Sequence, residues 1–304
     1  MVVHDSHCHF LSERFFETLG REKYGPDATS VADRVAGELG WEAPGSPLDL
    51  AARWRGELDR HAVSRSALIG SVPGDEESVA EAVAFQPSRF VGYFVVNPTT
   101  PDARNRVTRA FGALGLRCAC LFPALHGYRL DGPEVHAVFE LAAAHGGAVF
   151  AHCGYFTMEA RTKLGVRNVV DLRLGDPLAL ASTASRFPTV PVLVPHFGGG
   201  FFREALMAAD ACPTLHFDTS SSNSWIRFTP GLTLKEVFRS ALTIVGPERI
   251  LFGSDSSFFP RGWRKVIQGT QQAVLDDLGV EAAATAAIFR GNFERLFPQA
   301  SPVG

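Results

Sequence analysis

Eight short apolar runs, each followed by a stretch with helical periodicity, constrain this chain more than any other feature. The runs are Val2–His7, Ser66–Ile69, Phe90–Val95, Leu116–Leu121, Ala148–Ala151, Val192–Val194, Leu215–Asp218 and Ile250–Phe252. Between them, Leu48–Arg60, Glu76–Phe85, Pro101–Leu114, Pro133–His145, Pro177–Arg186, Phe201–Ala209 and Leu234–Val245 carry the spacing of amphipathic helices. Strands this short and this apolar belong in a parallel sheet covered on both faces. Eight such units in about 250 to 300 residues fit a closed α/β barrel, the (β/α)8 TIM barrel, better than an open doubly wound sheet. No glycine-rich dinucleotide fingerprint follows the first run, and Gly198-Gly199-Gly200 lacks the Lys-Ser/Thr ending of a phosphate loop. No low-complexity linker divides the chain, so residues 1–304 are expected to form a single domain.

The segment from Leu11 to Pro47 is longer than a plain βα connection, and its Pro44-Gly45-Ser46-Pro47 stretch predicts irregular structure. In a barrel, an insertion after the first strand sits over the active-site face, where it can act as a lid. Trp41 and Trp54 are candidates to pack there, with an ordinary structural role as the alternative.

Composition removes several function classes. Lys+Arg 29 against Asp+Glu 32, net −3, leaves no electrostatic footprint for nucleic acid or an anionic membrane. No apolar stretch reaches the roughly 20 residues needed to span a bilayer, and the opening residues do not read as a secretory signal. The expectation is a cytoplasmic protein acting on a small molecule. Five cysteines, at 8, 118, 120, 153 and 212, form no regular framework that would suggest disulfides.

The strongest local signal is Asp5-Ser6-His7-Cys8-His9. On a strand, residues i and i+2 point to the same face, so both imidazoles can converge on one ion. Taken alone, the pair could equally be a satisfied polar pair. Ligand-type residues recur, however, at the ends of later runs: His152 after Val149-Phe150-Ala151, His196 after Val192 to Pro195, and Asp255 after Ile250 to Ser254. A barrel gathers these ends at one face and makes the first and eighth strands neighbours. Imidazoles with one carboxylate form a borderline donor set suited to Zn2+, with Fe2+, Mn2+ or Co2+ as alternatives. His61, His126, His136, His145 and His216 have no comparable arrangement, and His4 is ambiguous.

With these pieces in place, the chain resembles the amidohydrolase superfamily, in particular the branch that includes aminocarboxymuconate-semialdehyde decarboxylase and related metal-dependent hydrolases. The resemblance rests on Asp5-Ser6-His7-Cys8-His9, Val149 to His152, Asp176-Pro177-Leu178, Pro195 to Gly199, Leu251 to Asp255 and Gly291 to Phe297. It implies that one divalent metal is held by His7, His9, His152 and Asp255. His196 would then stand outside the coordination sphere as the proton carrier, or else serve as an orienting group or a further nitrogen ligand. Members with two metals commonly use a carboxylated lysine on the fourth strand; here Leu116 to Pro123 has no lysine and Cys120 occupies the equivalent place. A single-metal site is therefore expected.

The resemblance implies hydrolysis of a small, carboxylated or cyclic substrate by a metal-activated water, with His196 and Asp255 as the catalytic proton-handling groups. Non-oxidative decarboxylation of a carboxylated aromatic or semialdehyde is the alternative. A non-catalytic barrel with a structural metal is a remote third reading, since structural zinc favours cysteine-rich closed sets. Arg161, Lys163, Arg167 and Arg173 follow His152 and offer a cationic loop for a carboxylate. Relatives commonly oligomerise, which leaves a homo-oligomer open. Serine chemistry lacks its Gly-x-Ser-x-Gly elbow, and Cys153 alternates away from His152 on an extended strand.

Overall fold

The structure is a computed structural model that describes residues 2–221 and 223–299. Its strands are β1 Val3–Phe10, β2 Val63–Gly70, β3 Phe90–Val96, β4 Cys118–Leu121, β5 Ala148–Ala151, β6 Val192–Pro195, β7 Leu215–Asp218 and β8 Ile250–Leu251. They lie in sequence order in one eight-stranded parallel sheet. Because β8 is so short, the β1–β8 seam is closed by separate backbone bonds: Ser6 N–H to Phe252 O at 2.9 Å, Asp255 N–H to His7 O at 2.9 Å and His9 N–H to Ser256 O at 2.7 Å. The result is the expected (β/α)8 barrel.

Period-2 alternation sorts the strand residues into two sets. Ile69, Tyr93, Cys118, Cys120, Phe150, Leu193 and Leu251 pack together inside the barrel. Their sequence neighbours Leu68, Phe94, Ala119, Val149, Val194 and Ile250 pack outward beneath the helices. Helices Glu76–Phe85, Pro133–His145 and Leu234–Val245 keep their expected limits, and Pro47–Arg60 begins on a capping box formed by Ser46 and Asp49.

The segment after β1 departs from expectation. It is an insertion, but most of it is helical: Glu13–Tyr24 and Ala32–Leu39 form a hairpin. Phe15, Phe16, Leu19, Val35 and Leu39 bury a separate small core against Val72, Ala160 and Leu164. The Pro/Gly cluster marks only the passage into the next helix. The two tryptophans also divide: Trp54 is buried in the layer under the helices, whereas Trp41 lines the cleft at the barrel mouth. No helix among the described residues is long and apolar enough to cross a membrane.

Candidate metal centre

His7 and His9 stand on the last part of β1, and their Nε2 atoms approach to 3.3 Å. Asp255, four residues beyond β8, brings Oδ1 to 3.6 Å from His7 Nε2 and 3.3 Å from His9 Nε2. One donor atom from each of the three thus lies within 4.8 Å of the others, the size of a cation site. His152 shares their cavity without joining this tight trio. Its inward direction follows from alternation with Phe150, and its ring stacks on Phe122 with centroids 5.4 Å apart. His196 faces the same cavity, its ring 5.1 Å from that of His152 and 5.3 Å from that of His7.

The far side of each imidazole decides which nitrogen is bare. His7 Nδ1 lies 2.8 Å from Oδ2 of the fully buried Asp218. A carboxylate only accepts, so Nδ1 carries the hydrogen and Nε2 presents its lone pair to the cavity. Ser71 Oγ donates to Ile69 O at 3.0 Å and is therefore left to accept from His9 Nδ1 at 2.8 Å. His196 Nδ1 lies 3.1 Å from the Ser220 carbonyl, which again fixes the hydrogen on Nδ1 and leaves Nε2 free. The His7 and His9 acceptor nitrogens are thus turned toward the Asp255 carboxylate, the arrangement a divalent cation requires, while His196 presents its own free Nε2 nearby in the same cavity.

Electrostatics agree with this donor set. Burial acts to lower the His7 pKa, but Asp218, Asp255 and Asp5 outweigh it and raise the value. Burial opposes ionisation of Asp255, yet His9, His7 and His196 hold its carboxyl far below the usual range. Burial lowers His9 and His196, and burial with the neighbouring His196 and His7 pushes His152 well down.

Asp5 ties this face together. It is completely buried and accepts from His7 N–H at 2.9 Å, Ser254 N–H at 3.0 Å, Ser254 Oγ at 2.5 Å and Trp263 Nε1 at 2.7 Å. Burial pushes its carboxyl upward in pKa. Gly253 is needed beside it, because a Cβ there would stand 2.3 Å from Asp218 Oδ1 and 3.0 Å from His7 Cβ. The triple glycine also acquires a role. With His196 and Phe197 it forms a run of left-handed residues, and Gly199 crosses Gly154 so closely that a Cβ on Gly154 would meet Gly199 O at 2.4 Å.

Sequence reasoning named the residues that face the cavity and missed those behind them: Asp218, Ser71, Ser220 and the full part played by Asp5. Only the placement of Asp218 at the end of β7 could have signalled it. The cationic loop is largely neutralised, in part by the helical insertion: Arg161 pairs with Glu22 at 2.5 Å, Lys163 with Glu159 at 3.0 Å and Arg173 with Asp171 at 2.6 Å. Cys120 is buried among apolar barrel residues, and the cavity that holds the histidines is walled without it. Cys153 packs outward, as alternation requires.

Comparison with known proteins fits this fold. The family profile for amidohydrolases (Amidohydro_2) matches residues 4–299, and the chain belongs to that family. Similar solved structures include 5-carboxyvanillate decarboxylase from Sphingomonas paucimobilis, with 16% identity, 98% of this chain and 99% of that one covered, and a TM-score of 0.65. An amidohydrolase from Burkholderia multivorans with bound zinc has 14% identity, 99% and 100% coverage and a TM-score of 0.63. A probable 2-pyrone-4,6-dicarboxylic acid hydrolase from Acinetobacter baumannii has 14% identity, 98% and 99% coverage and a TM-score of 0.61. Among curated proteins no significant match is found.

Proposed function

We propose that this protein is a metal-dependent hydrolase of small carboxylated or cyclic molecules, with one divalent ion, Zn2+ by first choice, held by His7, His9 and Asp255 and completed by His152. The observation that carries the reading is the convergence of two anchored Nε2 atoms and one carboxylate oxygen within 3.3 to 3.6 Å. When bound, such an ion acidifies a water molecule and polarises a carbonyl.

The remaining work falls to the chain's own groups. Asp218 and Ser71 keep His7 and His9 in the tautomer that exposes Nε2. His196, neutral because burial lowers its pKa, offers Nε2 to take the proton from the attacking water and pass it to the leaving group. Asp255, held ionised by its histidine neighbours, supplies negative charge and a second acceptor. Phe122, Phe156 and Trp225 exclude bulk water from one side of the cavity.

A neutral His196 begins as a base, which suits hydrolysis. Decarboxylation would need a proton delivered to carbon, and is supported as the second reading by the likeness in fold to 5-carboxyvanillate decarboxylase. Five free, buried cysteines support a reducing, cytoplasmic setting. The test is a panel of lactones, amides and carboxylated aromatics assayed in parallel for acid release and for CO2 release. Acid release that vanishes with His196→Gln supports the hydrolase; CO2 release alone replaces it with the decarboxylase.

A further inference from the structure

Beyond Asp255 the chain runs Ser256-Ser257-Phe258-Phe259-Pro260-Arg261-Gly262-Trp263-Arg264. Arg261 and Arg264 both line a cleft of about 420 Å³ that continues from His9 and Asp255 out to the helical insertion. Its walls mix polar and apolar side chains, with the aromatic rings of Phe15, Trp41 and Phe258 among the apolar ones. Unlike Arg161, Lys163 and Arg173, neither arginine makes an ion pair among the described residues.

The Arg261 side chain and the Arg264 backbone are held in place, and neither guanidinium is paired with a carboxylate among the described residues. The Arg261 guanidinium lies 4.2 Å over the Phe258 ring, which stacks in turn on Trp41 at 4.1 Å and 7°. One of its nitrogens donates to Ser257 Oγ at 2.5 Å and lies 3.5 Å from the Asp255 carbonyl. Between the two arginines, Trp263 is pinned by its indole to Asp5 and by its N–H to Glu57 Oε1 at 3.0 Å, while Arg264 N–H donates to Ser256 Oγ at 2.9 Å. A guanidinium stacked on an aromatic face keeps its edge donors available for a carboxylate. The acidic neighbour Glu159 is itself bridged to Lys163 at 3.0 Å.

We infer that Arg261 and Arg264 form the carboxylate-recognition end of the substrate cleft, selecting a planar ring acid whose carboxylate points away from the group that reacts at His7, His9 and Asp255. This assignment rests on the proposed reading of the metal centre as the reacting end. It makes the β8 loop, not the loop after β5, the determinant of substrate charge.

Calorimetric titration of the purified protein with naphthalene-2-carboxylate and with naphthalene-2-carboxamide tests it, on wild type, R261K and the double variant R261Q/R264Q. Wild type is expected to bind the acid about tenfold or more tightly than the amide, since hydrogen bonds to charged groups differ from neutral ones by that order. The double variant loses that preference with its affinity for the amide within about twofold of wild type, and R261K keeps part of it. Equal binding of the two probes by wild type, no binding of the acid, or an unchanged preference in R261Q/R264Q overturns the assignment. Metal analysis of the same samples separates the two readings: arginine-dependent binding by a chain that holds no metal would break the hydrolase proposal and leave the arginine site standing.

Discussion

The mouth of the barrel and its interior are built on opposite principles. Inside, Tyr93, Phe150, Leu193 and Leu251 are fully buried and meet other apolar side chains. At the mouth, His7, Asp218, Asp5 and Ser254 are as deeply buried, yet every one of them is polar and hydrogen-bonded. The backbone differs too. Of the seven non-glycine residues with left-handed φ among the described residues, five (His196, Phe197, Ser221, Asn223 and Asp255) belong to the mouth. Such conformations cost of order 1 to 3 kcal/mol each and persist where the surroundings over-determine them. The interior therefore holds the fold, and the mouth uses part of that stability to hold donors in one geometry.

Substitutions can break this contrast. The largest effect is expected for His196→Ala, which removes the proton carrier and leaves the trio intact: kcat/KM should fall by about 10² to 10⁴, with metal content and melting temperature retained. Loss of metal in that variant would place His196 among the ligands instead. In the interior the outcome inverts. Leu193→Ala should lower stability by about 2 to 5 kcal/mol in urea unfolding, with metal still bound by the molecules that remain folded.

A titration sharpens the comparison within the interior itself. His216 on β7 is buried, and burial lowers its pKa to about 4. Its value in the unfolded chain is near about 6.5, so the folded state binds fewer protons. The stability it contributes is complete above pH 6.5 and is lost as pH falls toward 4, amounting to about 3 kcal/mol. His216→Gln should flatten denaturation midpoints over that window, whereas an unchanged slope would assign acid sensitivity to other groups. Asp218→Asn is smaller again: it keeps the shape but loses the carboxylate that sets the His7 tautomer, and metal affinity should fall about 10- to 100-fold by competition with a chromophoric chelator.

Much of this was legible in the sequence, for identifiable reasons. Short apolar runs have few alternatives once helices separate them, so the strand order and the strand-end position of His7, His9, His152, His196 and Asp255 could be read directly. The helical hairpin Glu13–Tyr24 and Ala32–Leu39 was obscured because Pro44 and Gly45 dominate the local signal, while Phe15 and Val35 show their purpose only when packed together. Asp218 and Ser71 could not be assigned, since a carboxylate or hydroxyl behind a histidine is defined by distance across strands. The charged loop misled for a related reason: Arg161 finds Glu22 139 residues away in sequence, and pairing of that kind leaves no local trace.

The central claim is that His7, His9 and Asp255 hold one metal ion and Cys120 holds none. Elemental analysis of the purified protein beside His7→Ala and Cys120→Ala, with folding checked by circular dichroism, tests it most directly. The account predicts about one divalent ion per chain in wild type and Cys120→Ala and almost none in His7→Ala. No metal after reconstitution, or a second ion that disappears with Cys120, would contradict it.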